Sequence, residues 1–204
     1  MTPLGADLAR SGIAAWNVEY RRVGQEGGGW PGTLEDVAAA VDRLADVEEV
    51  DVARVATCGH SAGGHLALWL AGRHRVAEGM PGARPRIRPV AAVSQAGICD
   101  LERAWHDGLG RGAVDELLGP LEAGPERYAA ASPAALAPLG VPQLLVHGDA
   151  DDIVPLSQSR GYASRDPDAE LIELAGADHF DVMDSGHVAW SATVGPLRAL
   201  LGVR

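Results

Sequence analysis

The sequence of 204 residues contains no lysine, only one phenylalanine and only two cysteines. Its 17 basic residues are therefore all arginine, and 28 acidic residues outnumber them, which gives a formal net charge of −11. A nucleic-acid partner is disfavoured, because such surfaces need clustered basic side chains to displace counterions. The two cysteines, Cys58 and Cys99, are too few for a disulfide framework and are typical of a reducing compartment.

Long apolar runs are also lacking. No stretch reaches the roughly 18 consecutive apolar residues typical of a membrane span, and residues 1–10 lack the pattern of a secretory signal. These absences predict a cytoplasmic protein without a membrane partner. Because 47% of the residues are hydrophobic, the chain suits a single globular domain over residues 1–204 with a substantial core.

Short apolar, β-leaning runs alternate with helical patterns along the chain. Strands are predicted at residues 13–19, 52–58, 90–94, 143–147 and 170–174, and helices at residues 33–44, 62–73 and 188–201. Thr33 is predicted to cap the first helix, with Asp36 completing a variant capping box. The alternation predicts an α/β fold, a three-layer α/β/α sandwich around a mostly parallel sheet. The irregular residues 99–140 are predicted to form a cap-like insertion over a pocket.

The sharpest motif is Gly59-His60-Ser61-Ala62-Gly63-Gly64, which lies between a predicted strand and a predicted helix. It matches G-x-S-x-G, in which a tight turn holds a nucleophilic serine clear of the sheet and flanking glycines avoid clashes. The Ala62 N–H, directly after the serine, is the expected oxyanion donor. The alternative is an ordinary glycine-rich turn that binds a phosphate; a dinucleotide fingerprint fits worse because the glycines are not spaced G-x-G-x-x-G.

A serine hydroxyl needs a base to take its proton, and the chain has seven histidines. His179 follows the last predicted strand, and the chain order serine, acid, histidine favours it, with His187 as the runner-up. His60 is expected to pack or to form a pocket wall, and His147 to end a strand before a tight loop. The remaining histidines lie on the helix after the serine or in the insertion: His65, His74 and His106.

The acid is expected in the loop after the penultimate strand, because that loop neighbours the histidine loop. Residues 147–155 read HGDADDIVP and offer three carboxylates, Asp149, Asp151 and Asp152. A buried carboxylate there would hold the imidazole in one tautomer and stabilise the imidazolium. The alternatives are a solvated acidic loop and a weak cation site, although the glycine and the terminal glutamate of an EF-hand loop are missing.

Together these segments resemble the α/β-hydrolase superfamily, in particular its kynurenine formamidase-like and small carboxylesterase-like branch near the prolyl-oligopeptidase catalytic domains. The resemblance covers nearly the whole chain, residues 4–201, and rests on four segments: Val18-Glu19-Tyr20-Arg21-Arg22, the G-x-S-x-G turn, the H-G-x-x-D-x-x-V-P run of residues 147–155, and Asp178-His179-Phe180. It implies that the acid is the fifth position of that run, which is Asp151.

One departure from this family concerns the front of the sheet. Similar proteins carry three further strands before the first strand seen here, and an H-G-G-type loop that supplies a second oxyanion donor; no His-Gly-Gly occurs in this sequence. The glycines at 27–29 either stand in for that loop or form a plain pocket rim. In the family the third strand lies between the fourth and the fifth, so the resemblance implies a gap in the centre of the sheet. Either the strands re-pair across that gap or, as we favour, the true start lies upstream of Met1.

The resemblance implies a serine hydrolase that cleaves a small carboxylic ester or amide through an acyl-enzyme, with Ser61, His179 and Asp151 as its triad. It implies no cofactor and no metal, and the expected partner is the small-molecule substrate. The alternatives are a serine peptidase of prolyl-oligopeptidase type and a truncated hydrolase-fold scaffold with little activity. Three aromatic residues are candidates either for an aromatic-accepting pocket or for the core: Trp30, Trp105 and Tyr128.

Overall fold

The protein is described by a computed structural model that covers residues 2–203. Its centre is a parallel sheet of four strands in the order β1-β2-β3-β4, formed by Ala56–His60 (β1), Ala91–Gln95 (β2), Gln143–Gly148 (β3) and Ala169–Leu174 (β4). The register aligns Cys58 with Val93, and Val93 with Leu144. Because every pair is parallel, each connection must cross over the sheet, and helices supply these crossovers.

Within residues 2–203, nine α-helices accompany the sheet: Thr2–Arg10 (α1), Gly32–Asp42 (α2), Ala62–Gly72 (α3), Leu101–His106 (α4), Ala113–Leu118 (α5), Pro125–Ala131 (α6), Pro133–Leu136 (α7), Ser157–Ala163 (α8) and Val188–Leu200 (α9). Four of them, α4 to α7, are short and lie in residues 99–140, the predicted cap-like insertion. None of the helices in residues 2–203 has the length and apolar character needed to cross a membrane.

The two faces of the sheet contact different helices. On β2 and β3, Ala92 and Leu145 join the core cluster that contains residues of α2 and α3, whereas Val93, Leu144 and Val146 join the cluster that contains residues of α9. Both strands are buried along their whole length, as expected for a parallel sheet covered on both sides. The predicted α/β fold with helices on both faces of a parallel sheet is therefore confirmed.

The strand predicted at residues 13–19 is wrong. This segment forms no ladder with any strand, and β1 is the edge of the sheet within the described residues. A cavity of about 610 Å³ lies between the segment and β1, lined by both of them. An apolar run becomes a strand only when a neighbour pairs with its backbone, and here the cavity separates the two backbones. The cavity lies between residues 13–19 and β1, which is the place in the sheet where the resemblance to the α/β hydrolases implies a gap.

The start of the second predicted strand and the cap predicted for the first helix are also wrong. The strand predicted at residues 52–58 begins only at Ala56, because a 3₁₀ turn occupies Val52–Arg54 and Asp51 caps that turn by accepting from the Ala53 N–H at 3.0 Å. Helix α2 begins at Gly32, so Thr33 does not cap it. The Thr33 hydroxyl instead donates to the Arg21 carbonyl.

Asp36, the other half of the predicted capping box, faces the same arginine. Its carboxylate accepts from the Arg21 guanidinium at 2.7 and 2.8 Å and from the Arg21 N–H at 2.8 Å. This guanidinium holds the pKa of Asp36 at about 2. Thr33 and Asp36 therefore anchor the loop before α2 by contacts across 12 and 15 residues, which a local capping pattern does not contain.

The exposure of the two cysteines gives a test of the open edge of β1. Cys58 is exposed and its strand lines the cavity, whereas Cys99 is fully buried. We expect a maleimide to modify Cys58 under native conditions much faster than Cys99, as measured by mass spectrometry of tryptic peptides. Labelling in urea, where both thiols are accessible, is the control for their intrinsic reactivity. Equal protection of both thiols in the folded protein would contradict an open β1 edge.

Candidate active site

The turn between β1 and α3 places Ser61 in a strained backbone conformation. Its φ of 56° and ψ of −119° are rare for a residue with a side chain, and its N–H is held by the Gln95 carbonyl at 2.8 Å. A Cβ at Gly59 would overlap the backbone of Gly63, so the turn closes only with glycine there. These features are those of a nucleophile elbow, in which strain presents the serine at the end of a strand.

The glycines after Ser61 do not have the roles that the motif suggests. Gly63 has open space where a Cβ would lie, whereas a Cβ on Gly64 would lie 2.8 Å from Ser94 Oγ and 2.9 Å from Gly97 Cα. The close approach of α3 to β2 therefore requires glycine at position 64, one residue later than expected. Ala62 is the first residue of α3, so its N–H has no acceptor within the helix.

The loops after β3 and β4 bring Asp151 and His179 together. His179 Nδ1 and Asp151 Oδ2 are 2.7 Å apart, and both side chains are buried. Asp151 Oδ1 accepts from two backbone N–H groups of its own loop, Ile153 at 2.9 Å and Val154 at 2.8 Å. An acceptor-only carboxylate requires that Nδ1 carry the proton, which leaves Nε2 of the neutral ring free to act as a base.

The environment of Asp151 favours its ionised form. Burial by itself would raise the pKa of this carboxyl, but the hydrogen bonds from His179, Val154 and Ile153 outweigh it, so the pKa of Asp151 is lowered. The carboxyl therefore stays ionised at neutral pH. A buried carboxylate that is fully hydrogen-bonded avoids the cost of an unpaired charge.

His60, next to Ser61, joins the elbow to the histidine loop. Its Nε2 lies 2.6 Å from the His179 carbonyl oxygen, and the two imidazole rings have centroids 4.5 Å apart. Burial lowers the pKa of His60, so the neutral ring donates its Nε2–H to that carbonyl. His60 thus does more than form the pocket wall that was expected: it holds the backbone of the proposed base.

Ser61 and His179 lie in adjoining segments, but no hydrogen bond joins Ser61 Oγ to the His179 ring within residues 2–203. Contact between the elbow and the histidine loop runs through His60. In free enzymes such hydrogen bonds are often long and tighten only when substrate binds.

The other candidates have structural contacts instead. Asp149 Oδ1 accepts from the Gly176 N–H at 2.6 Å and so ties the acid loop to the histidine loop, and Asp152 is exposed. His187 precedes α9 and accepts from the Ala189 N–H at 3.3 Å, which makes it a helix cap.

One residue near the site was missed by the sequence interpretation, which gave His147 only the end of a strand. It is fully buried inside β3, and its Nε2 lies 3.2 Å from Asp151 Oδ2. Its position as the first residue of the H-G-x-x-D run, four before Asp151, was the available signal.

Of the glycines at 27–29, Gly29 lies against the insertion, whereas Gly27 and Gly28 lie against residues 21–25. A Cβ on Gly29 would contact the carbonyls of Glu116 and Leu117, and the Trp30 N–H donates to the Leu117 carbonyl at 2.8 Å. These contacts do not support a substitute oxyanion loop next to Ser61. The three aromatic residues considered for a pocket belong to the main hydrophobic cluster or pack against it: Trp30, Trp105 and Tyr128.

A covered parallel sheet, with a strained serine after its first strand and an imidazole and a carboxylate after later strands, defines a hydrolase of the α/β type. Within that class the chain belongs to the BD-FAE family, whose family model matches residues 1–165. The match includes Ser61 and Asp151 but ends before His179. The choice of His179 as the candidate base therefore rests on the geometry of the structure. No curated protein matches the sequence significantly.

Solved structures share this fold. A truncated carbohydrate esterase from gut microbiota matches with a TM-score of 0.78 and 22% identity, over 98% of this chain and 78% of that one. An esterase from Thermogutta terrifontis, with propionate bound, gives a TM-score of 0.72 and 25% identity over 98% and 75% of the two chains. A puromycin-hydrolyzing peptidase from Mycobacterium tuberculosis gives 0.66 and 27%, over 86% of this chain but only 26% of the peptidase.

The lowered pKa of Asp151 predicts how stability depends on pH. A carboxylate whose pKa falls on folding stabilises the folded state fully above its ordinary value of about 3.9, and this is lost as the pH falls through the folded value. The unfolding free energy of the wild type should therefore exceed that of Asp151→Asn at neutral pH, and the difference should shrink below about pH 4.

Urea unfolding of both proteins at several pH values measures this difference. Asp152→Asn, which removes an exposed carboxyl from the same loop, is the matched control and should show little change. A difference between wild type and Asp151→Asn that is independent of pH would contradict the hydrogen-bonded carboxylate.

Proposed function

We propose that this protein is a serine hydrolase that cleaves a small carboxylic ester or amide through an acyl-enzyme. The observation that carries the proposal is the buried 2.7 Å hydrogen bond between Asp151 and His179, in a loop that contacts the elbow of Ser61. A buried carboxylate–imidazole pair next to a strained serine does not contribute to the pairing or the core of the parallel sheet, and therefore indicates a functional role. Such perturbed groups cluster at functional sites.

In the proposed mechanism, Ser61 Oγ attacks the substrate carbonyl while His179 Nε2 takes its proton. Asp151 orients the ring and stabilises the imidazolium, and the Ala62 N–H donates to the oxyanion. The tetrahedral intermediate then breaks its bond to the leaving alcohol or amine, which receives the proton from His179. Water, activated by the same histidine, cleaves the acyl-enzyme and releases the acid.

Small acyl esters are the favoured substrates. The similar esterases named above, one of them with propionate bound, support an ester of a short acid. A third similar protein, an acetyl ester-xyloside bifunctional hydrolase from Caldicellulosiruptor lactoaceticus, points the same way. Next to His179, the Phe180 ring is 59% exposed and its centroid is 5.2 Å from the imidazole, so it offers an apolar surface to the substrate.

A peptidase activity is the second candidate, and the similar puromycin-hydrolyzing peptidase favours it. The two candidates differ in the leaving group, because an amine must be protonated before it departs whereas a phenolate need not be. Turnover of short aryl esters and sugar acetates, set against aminoacyl arylamides, separates them. N-formyl aromatic amines test the formamidase resemblance in the same panel.

Nucleophilic catalysis at Ser61 is tested by covalent labelling. We expect a fluorophosphonate to modify Ser61, because only an activated serine reacts quickly, and Ser61→Ala to abolish both labelling and ester turnover. Peptide mass spectrometry locates the adduct. Ser159→Ala is not a suitable control, because Ser159 contacts His147. Ser164 is exposed, so Ser164→Ala serves as the control. Modification of another serine with Ser61 intact would refute the proposal.

The role of the acid is tested by a matched pair of substitutions. Asp151→Asn should reduce kcat by roughly 10⁴-fold, because an amide cannot hold the required imidazole tautomer. Asp152→Asn changes an exposed neighbour in the same loop and should leave kcat within a few-fold of the wild type. Steady-state kinetics on the best ester of the panel measure both. A larger loss in Asp152→Asn would show that the acid is assigned one residue too early.

A further inference from the structure

Asp151 Oδ2 faces two imidazole rings, and the proposed mechanism uses only one of them. His179 Nδ1 is 2.7 Å away and His147 Nε2 is 3.2 Å away. His147 lies inside β3, its side chain is fully buried, and it is too deep to touch a substrate. A buried polar side chain that points at a proposed catalytic carboxylate calls for a role of its own.

The hydrogen-bond partners of His147 determine its tautomer. Nε2 lies 2.9 Å from the Val154 carbonyl oxygen, which can only accept, so Nε2 carries a proton. Nδ1 lies 2.8 Å from Ser159 Oγ. Burial lowers the pKa of His147, so the ring is neutral and Nδ1 accepts from the Ser159 hydroxyl. Helix α8, through Ser159, therefore aims the Nε2–H of His147 at the acid loop.

From this geometry we infer that His147 is a positioning residue. Its Nε2–H donates to the Val154 carbonyl and lies beside Asp151 Oδ2, and so holds the acid loop and its carboxylate in the orientation that His179 requires. The inference rests on the proposed function. Oδ1 of the carboxylate accepts from the Ile153 and Val154 N–H groups and Oδ2 accepts from His179, while the His147 ring packs beside Oδ2 at 3.2 Å. Val154 therefore links the two groups, because its carbonyl accepts from His147 and its N–H donates to Asp151, and the carboxylate is held in one orientation by three hydrogen bonds.

This arrangement predicts an effect on kcat and not on KM, because His147 acts on the base through Asp151 and does not contact the substrate. His147→Leu removes the donor and should lower kcat by roughly 10- to 100-fold, the scale expected when a catalytic group is misplaced. His147→Gln keeps an N–H donor near the position of Nε2 and should retain most of the wild-type kcat. A purely structural histidine would not distinguish these two substitutions in this way.

The chain offers a matched control in His65. This histidine is also buried, on α3, and its Nε2 contacts the Ala131 carbonyl oxygen at 2.8 Å, but it has no contact with Asp151. His65→Leu and His65→Gln therefore remove or retain a buried donor to a backbone carbonyl without changing the acid. We expect His65→Leu to lower the melting temperature while leaving kcat unchanged.

A readout that does not depend on turnover is the proton NMR signal of the His179 Nδ1–H, assigned by its loss in Asp151→Asn. The signal should shift or broaden in His147→Leu, move less in Ser159→Ala, and stay in place in His147→Gln and both His65 variants. Ser159→Ala acts through the tautomer of His147 and keeps the test open if His147→Leu does not fold. A wild-type protein that hydrolyses no substrate refutes the proposed function, while the NMR signal still decides the role of His147.

Two outcomes would overturn the inference. The first is an unchanged NMR signal and an unchanged kcat in folded His147→Leu. The second is that His147→Gln loses as much activity as His147→Leu while both melt at the same reduced temperature, which would assign His147 to packing alone. A graded loss, with His147→Gln close to the wild type and the His65 variants unaffected, supports it.

Discussion

The carboxylate of Asp151 is the point on which the arrangement of the site depends. A buried charge is tolerated only when its hydrogen-bonding capacity is satisfied, and this one accepts from its own loop and from the loop after β4 through His179, while the His147 ring of β3 lies beside it. Removing one partner leaves the others around an incompletely paired charge. The acid loop, the central strand β3 and the histidine loop are therefore held in place together.

The parallel sheet explains why these groups meet. Ser61 follows β1, Asp151 follows β3 and His179 follows β4, so all three lie at the carboxyl-terminal edge of the strands. Strand β2 contributes no proposed catalytic group but connects the others through Gln95, whose carbonyl accepts from the Ser61 N–H and whose side-chain amide donates to the Val182 carbonyl and to Thr193. The elbow and the segment after His179 thus share one anchor.

The support of the elbow is uneven. Strand β1 pairs with β2 on one side and faces a cavity of about 610 Å³ on the other, whereas β2 and β3 have a strand on each side. Unpaired strand edges are less stable than paired ones, so Ser61 depends on α3 and on its bond to Gln95 more than a serine at the end of a central strand would. Its contact with the histidine loop through His60 adds a third support.

The sequence alone determined the features that depend on neighbouring residues: the elbow at Ser61, helix α3, strands β2 to β4 and, through the spacing of its motifs, the α/β fold. It could not determine whether residues 13–19 form a strand, because a strand exists only if another backbone lies beside it. The loop by itself offered three carboxylates and only the family resemblance pointed to Asp151; the tertiary structure shows that Asp151 is the one buried against His179. His147 is a second example, because only the packing of α8 and of the acid loop on β3 brings Ser159 and Asp151 next to its buried ring.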